Sequence, residues 1–128
     1  MILLDTSVLI DTLAGHRALA PTLRRVLAIG ERLGLCAPVF YAWRRGPRTE
    51  AELARQEALF PGDDVWVFGP AEARIAAALY GRVSRARQRE LDLAIAACAL
   101  THGAMLWTLN GADFADIPDL VLYDPPSR

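Results

Sequence analysis

The stretch Ile2-Leu3-Leu4-Asp5-Thr6-Ser7-Val8-Leu9-Ile10-Asp11 decides how the rest of this chain reads. Three consecutive apolar residues with no polar alternation fit a short strand covered on both faces, the kind that parallel sheets use. Behind them, Thr6 or Ser7 can cap a first helix running to about Leu13, where Gly15 closes it. Asp5 stands between the two, at the carboxyl end of the strand. That rim is where open parallel sheets hold their ligands.

The same alternation of short apolar runs and helices continues outward. Leu19, Leu23, Val26, Ile29 and Leu33 recur at helical spacing, and Gly34 is expected to end that helix. Leu35-Cys36-Ala37 is a brief strand candidate, and Pro38 suits the first turn of the next helix. Gly46-Pro47 breaks it, and Thr49-Glu50-Ala51-Glu52 opens another to about Phe60. After the turn Pro61-Gly62-Asp63-Asp64, Val65-Trp66-Val67 reads as a strand. Helices are expected over about Pro70 to Ala86 and Gln88 to His102, then a strand Met105-Leu106-Trp107-Thr108, a helical turn Gly111 to Asp116 and a last strand Leu120 to Tyr123. The pattern is that of an α/β domain with a mostly parallel central sheet flanked by helices.

With 128 residues, the chain suits a single domain spanning 1–128, since two cores of half that size would not sustain themselves. A hydrophobic fraction of 53% excludes a disordered chain. The longest uncharged apolar run, Leu93 to Leu100, is far shorter than the roughly 20 residues that cross a bilayer, and no basic segment precedes an apolar one at the start. The expectation is a soluble cytoplasmic protein with no membrane role. Fourteen cations, all Arg, face fifteen acids, so bulk basicity does not announce a nucleic-acid partner. Cys36 and Cys98 read as reduced core thiols, and His16 and His102 are too isolated for a zinc site.

The chemistry lies in the acids. Asp5 at a strand end needs a partner, a helix N-terminus or a metal, because desolvating it alone is expensive; a helix cap is the simple alternative. Asp92 opens Asp92-Leu93-Ala94-Ile95-Ala96-Ala97, a helix apolar almost all round and therefore buried, although a first-turn acid is also favoured by the helix dipole. Asp113 follows Asn110 by three residues just after a strand, which also fits a capping box. Asp116 and Asp119 read as solvated. A parallel sheet brings Asp5, Asp92 and Asp113 to one rim. Three carboxylates there would repel unless divalent cations balance them, and oxygen-only ligation favours Mg²⁺ or Mn²⁺ over Zn²⁺.

These motifs, together with Thr108-Leu109-Asn110-Gly111-Ala112-Asp113-Phe114, resemble the PIN domain family, and within it the VapC-type toxins of toxin–antitoxin pairs. The resemblance covers essentially the whole chain. It implies a PIN-like α/β fold and a Mg²⁺- or Mn²⁺-dependent ribonuclease, commonly a homodimer and held inactive by a small VapB-like antitoxin. Asp5 and Asp92 would be the chief metal ligands, with Asp113 the later acid and Asn110 lining the site beside or instead of it. Thr6 and Thr108 are expected to line it as well. One departure matters: the family usually places a Glu four residues before a Gly, and here Ala42 precedes Gly46. Nuclease chemistry is then impaired, either natively or by deliberate removal of the Glu; the intact remainder of the pattern favours removal.

Arg44 and Arg45, close to position 42, and Arg82, Arg85 and Arg89, at helical spacing, are candidates to grip RNA phosphates or pair with an antitoxin; a solvated basic face explains each cluster equally well. A non-catalytic PIN-scaffold protein that binds RNA or a partner is the alternative function. An aspartyl phosphotransferase is disfavoured because Asp5-Thr6-Ser7 lacks a second acid two residues on, and a dinucleotide-binding enzyme because no G-x-G-x-x-G follows the first strand. The apolar residues Leu19, Leu23, Val26, Leu27, Val39, Phe40, Tyr41, Trp43, Leu53, Leu59 and Phe60 are more than one core of this size is expected to bury, so an exposed interface patch is expected among them.

Overall fold

Residues 1–126 are described by a computed structural model, in which β1 (Ile2–Leu4) is the middle strand of a three-stranded parallel sheet ordered β2-β1-β3. β2 (Leu33–Gly34) and β3 (Met105–Trp107) flank it, with Leu3 in register with Gly34 on one side and Leu106 on the other. Ile2, Leu3 and Leu4 are all fully buried, which is why the run carries no polar alternation. Removing each from water is worth about 1.5–3 kcal/mol.

Among the described residues six α-helices surround the sheet: α1 (Thr6–Leu13), α2 (Ala20–Ala28), α3 (Ala37–Arg44), α4 (Glu50–Leu59), α5 (Pro70–Tyr80) and α6 (Glu90–Thr101). The cap of α1 is Asp5, not Thr6 or Ser7: its carboxylate accepts from the Thr6 amide at 2.8 Å. Pro38 does sit in the first turn of α3, and Thr49 with Glu52 forms a capping box at the start of α4. α6 is the most buried helix, with Leu93 and every residue from Ile95 to Ala99 in the core.

Several boundaries differ from the sequence reading. The second helix stops at Ala28 rather than Leu33, because Gly30 takes φ +89° and turns the chain so that Leu33 and Gly34 become β2. The expected strand at Leu35–Ala37 is therefore displaced to an earlier position. Leu35 and Ala37 instead bond to Trp66, and Val65-Trp66-Val67 contributes a single bridge rather than a strand. Leu120–Tyr123 likewise makes only one bridge, to Leu106. Val67 and Val121 are 71% and 57% exposed, so no layer covers them and pairing does not extend. α5 ends at Tyr80, not Ala86, and α6 starts at Glu90, not Gln88; the intervening loop carries Arg85 at φ +52° and a 3-10 turn at Ala86–Gln88.

The apolar surplus is mostly absorbed. Leu23, Val26, Val39, Trp43 and Phe60 complete the core, leaving Leu27, Tyr41 and Leu59 as the exposed members of that group. Cys36 and Cys98 are free thiols in the core. No helix among the described residues is long and apolar enough to cross a membrane.

Candidate active site

The carboxyl end of β1 hands the chain to α1 at Asp5, and three donors hold its side chain. Thr6 donates its amide to Oδ1 at 2.8 Å, while the hydroxyls of Ser7 and Thr108 donate to Oδ2 at 3.1 and 2.6 Å. Thr108 follows directly on β3, so this network staples the ends of two parallel strands together. Ser7 adds a second tie by accepting from the Leu109 amide at 3.1 Å. Asp5 is only 5% exposed, and its desolvation is offset by these bonds.

Asp92, in the first turn of α6, borders the same cleft of about 260 Å³, whose walls include Asp5, Thr6, Ala42, Arg45 and Asn110. Unlike Asp5, it has no side-chain hydrogen bond among the described residues. Burial first, then the charges of Asp5 and Asp113, push its carboxyl up to about 6, against which the nearby Arg89 works in the other direction. The Thr6 hydroxyl is buried without a hydrogen-bond partner among the described residues.

Asp113 is placed differently from expectation. It lies on the 3-10 turn Gly111–Phe114 and lines an adjoining open cleft of about 550 Å³ with Asp92, Arg85, Gln88 and Arg89. Asp92 is thus shared by both clefts, with Asp5 and Asn110 on one side and Asp113 on the other. Among the described residues, no three Asp, Glu, His or Cys side chains close into a ready-made metal cage. At position 42, where an acid was expected, the wall carries only the methyl group of Ala42. Nor do Asn110 and Asp113 form a capping box; the Asn110 side chain makes no cap bond, and its carbonyl accepts from the Asp113 amide at 2.9 Å.

The donor chemistry nevertheless fits a hard divalent cation. Two carboxylates, one desolvated and unsatisfied, share a cleft with an unpartnered threonine hydroxyl, and a third carboxylate stands across Asp92. A cation between Asp5 and Asp92 would reverse the repulsion that now opposes ionisation of Asp92.

The candidate arginines fall into two groups. Arg45 lines the cleft and lies over the Tyr41 ring, and Arg82 and Arg85 are exposed. Arg44 is engaged in part, donating to Gln56 at 3.1 Å. Arg89 is not a free phosphate-gripping residue: it forms a two-pronged ion pair with Asp116, at 2.6 and 2.9 Å. Asp116, read as solvated, is therefore paired. This pair spans 27 positions, and no local pattern signals it. Ser7 was also missed, although its place beside Asp5 could have suggested it. Of the aromatic residues near position 42, Trp43 is fully buried and only Tyr41 stands well exposed, at 60%.

Comparison with known proteins gives the family and the fold. The PIN domain family pattern matches residues 2–120. Ribonuclease VapC19 of Mycobacterium tuberculosis is 34% identical over 123 residues, covering 94% of this chain and 97% of that protein. Among solved structures, a toxin-antitoxin complex from Klebsiella pneumoniae superposes with TM-score 0.71 at 25% identity, covering 97% of this chain and 99% of that one. VapBC2 of Rickettsia felis, bound to a DNA fragment from its promoter, gives TM-score 0.71 at 20% identity, covering 96% and 98% of the two chains.

Proposed function

This chain belongs to the PIN domain family, and on that premise we propose that it is the ribonuclease toxin of a VapBC-type pair, hydrolysing RNA phosphodiesters with a divalent metal. The observation that carries the reading is the meeting of Asp5 and Asp92 on one cleft, in a chain similar end to end to a named VapC ribonuclease. Asp5 and Asp92 would hold Mg²⁺ or Mn²⁺, with Asp113 on the far side of Asp92. Thr6, Thr108 and Asn110 line the site around them. Held by Asp5 and Asp92, such an ion would supply Lewis acidity to a phosphodiester and to an attacking water, so no covalent enzyme intermediate would be needed.

The protein's own contribution is placement. The Thr6 amide and the Ser7 and Thr108 hydroxyls fix the Asp5 carboxylate before any ligand arrives. Arg45 at the cleft wall is available to a phosphate, with Arg44, Arg82 and Arg85 further out for RNA or for the antitoxin. The partner is a VapB-like antitoxin, and the active unit is a homodimer of the domain 1–128, acting in the cytoplasm.

Ala42 favours a second reading. Its buried methyl forms part of the cleft wall and takes no proton and no cation. The chain as written is then an impaired nuclease or a PIN scaffold that binds RNA or a partner without cutting. Cleavage of end-labelled RNA in Mg²⁺ or Mn²⁺, by this chain and by Ala42→Glu, separates the two. The nuclease reading expects Ala42→Glu to cut roughly 100-fold faster or more. An Ala42→Glu protein that folds, binds RNA and leaves it intact establishes the non-catalytic reading instead.

A further inference from the structure

Arg89 is the N-cap residue of α6, three positions before Asp92, and both terminal nitrogens of its guanidinium are engaged. Nη1 donates to the Ser84 carbonyl at 3.0 Å and to Asp116 Oδ2 at 2.9 Å; Nη2 donates to Asp116 Oδ1 at 2.6 Å and to the Asp113 carbonyl at 2.8 Å. Four bonds thus join three segments: the loop before α6, the turn that carries Asp113, and the residues just after it. The Arg89 side chain is 13% exposed and that of Asp116 46%, so it is the two-pronged geometry, not burial, that distinguishes this pair from a loose surface contact.

Two acids that border one cleft, Asp92 and Asp113, are brought there by elements far apart in sequence. Asp92 arrives on a buried helix of twelve residues; Asp113 arrives on a four-residue 3-10 turn. Arg89 is the covalent neighbour of that helix and the hydrogen-bond partner of that turn. We propose that Arg89 is a positioning residue whose guanidinium clamps the Asp113 turn to the start of α6, and so sets the separation at which Asp92 and Asp113 serve one divalent cation. The proposal rests on the metal-dependent reading of the site and adds to it the device that holds the third acid in place. A planar fork with five donors can make these bonds at once, whereas a lysine ammonium cannot reach three segments in the same geometry.

The test uses Arg89→Met, Arg89→Lys and Asp116→Asn in the full chain and in Ala42→Glu. It reads Mn²⁺ affinity by calorimetry, hydrogen exchange at amides 111–116 and thermal melting. Arg89→Met should weaken Mn²⁺ binding by about 10- to 100-fold, as loss of outer support to a metal ligand does elsewhere. Exchange should speed up at 111–116 and stay unchanged in β1 and α1. Arg89→Lys, which keeps the charge, should not restore either property; Asp116→Asn, which loses one prong of charge but leaves Arg89 in place, should give a smaller loss in the same direction. If Arg89→Met destabilises the whole fold, Asp116→Asn carries the same comparison. Unchanged Mn²⁺ affinity in Arg89→Met, or full restoration by Arg89→Lys, overturns the clamp. If neither parent protein binds Mn²⁺, the metal-dependent reading fails by itself, and the exchange rates at 111–116 still decide the clamp: unchanged protection overturns it.

Discussion

Asp5 and Asp92 face one cleft, yet they are maintained in opposite ways. Asp5 is more deeply buried but accepts from an amide and two hydroxyls, so its charge is already stabilised by the fold. Asp92 is less buried but has no donor, and desolvation with two neighbouring acids pushes it up to about 6. Burial alone therefore does not mark the stressed carboxylate; the number of donors does. Asp5 belongs to the architecture first and to the chemistry second. Asp92 is held at the site against its own electrostatics, and a cation would relieve it.

The largest effect that can break this contrast is on activity. In the Ala42→Glu background, Asp5→Asn and Asp92→Asn should each reduce RNA cleavage by roughly 100-fold or more, measured under single-turnover conditions. Retention of cleavage by either variant would remove that residue from the site. On stability the two should diverge. Asp5→Ala removes the α1 cap and strands two hydroxyls, so urea unfolding should show a loss of about 1–2 kcal/mol.

Asp92→Asn should do the reverse in the presence of EDTA. The folded-state pKa, about 6, lies above the ordinary 3.8, so between those values the folded protein retains a proton that the unfolded chain has lost. Stability then falls as pH rises through that window, and the ionised Asp92 is a net burden above it. Replacing it should raise stability at pH 8 by about 1 kcal/mol, after allowance for solvent screening of a half-buried group, with the gain gone at pH 4. A destabilised Asp92→Asn at pH 8 would contradict the contrast outright. The smallest effect concerns Thr6: its buried hydroxyl has no partner among the described residues, so Thr6→Val should leave metal-free stability unchanged or raise it by up to about 1 kcal/mol.

The same contrast marks what linear reading can reach. Asp5 and Asp92 were legible because each sits inside a contiguous pattern: an apolar run that ends in an acid, and an apolar helix that begins with one. The α/β class followed from the alternation of such runs with helices, and the PIN-like assignment from the resemblance of the three motifs to that family. The strand at Leu35–Ala37 was misplaced because Leu33 continues the helical spacing of Leu19 to Ile29 by coincidence, while the positive φ at Gly30 ends that helix early. Trp66 and Leu122 have strand-like neighbours but meet the sheet at single bridges, since an element at the edge is defined by what covers it and not by its own composition. The place of Asp113 in a cleft that adjoins the one lined by Asp5, and the pairing of Arg89 with Asp116, arise from contacts between distant segments and leave no periodic trace.

The double duty of Asp5 has a consequence for timing and control. The carboxylate that would serve the metal is also the cap that starts α1, and it ties the ends of β1 and β3. There is thus no stage at which this domain is folded but that acid still has to be put in place. Readiness at Asp5 arrives with the native state, because the amide and two hydroxyls that hold its carboxylate belong to the fold itself. A protein organised this way keeps no internal safety catch at that residue, so restraint has to come from outside the fold, by something that occupies the cleft or covers it.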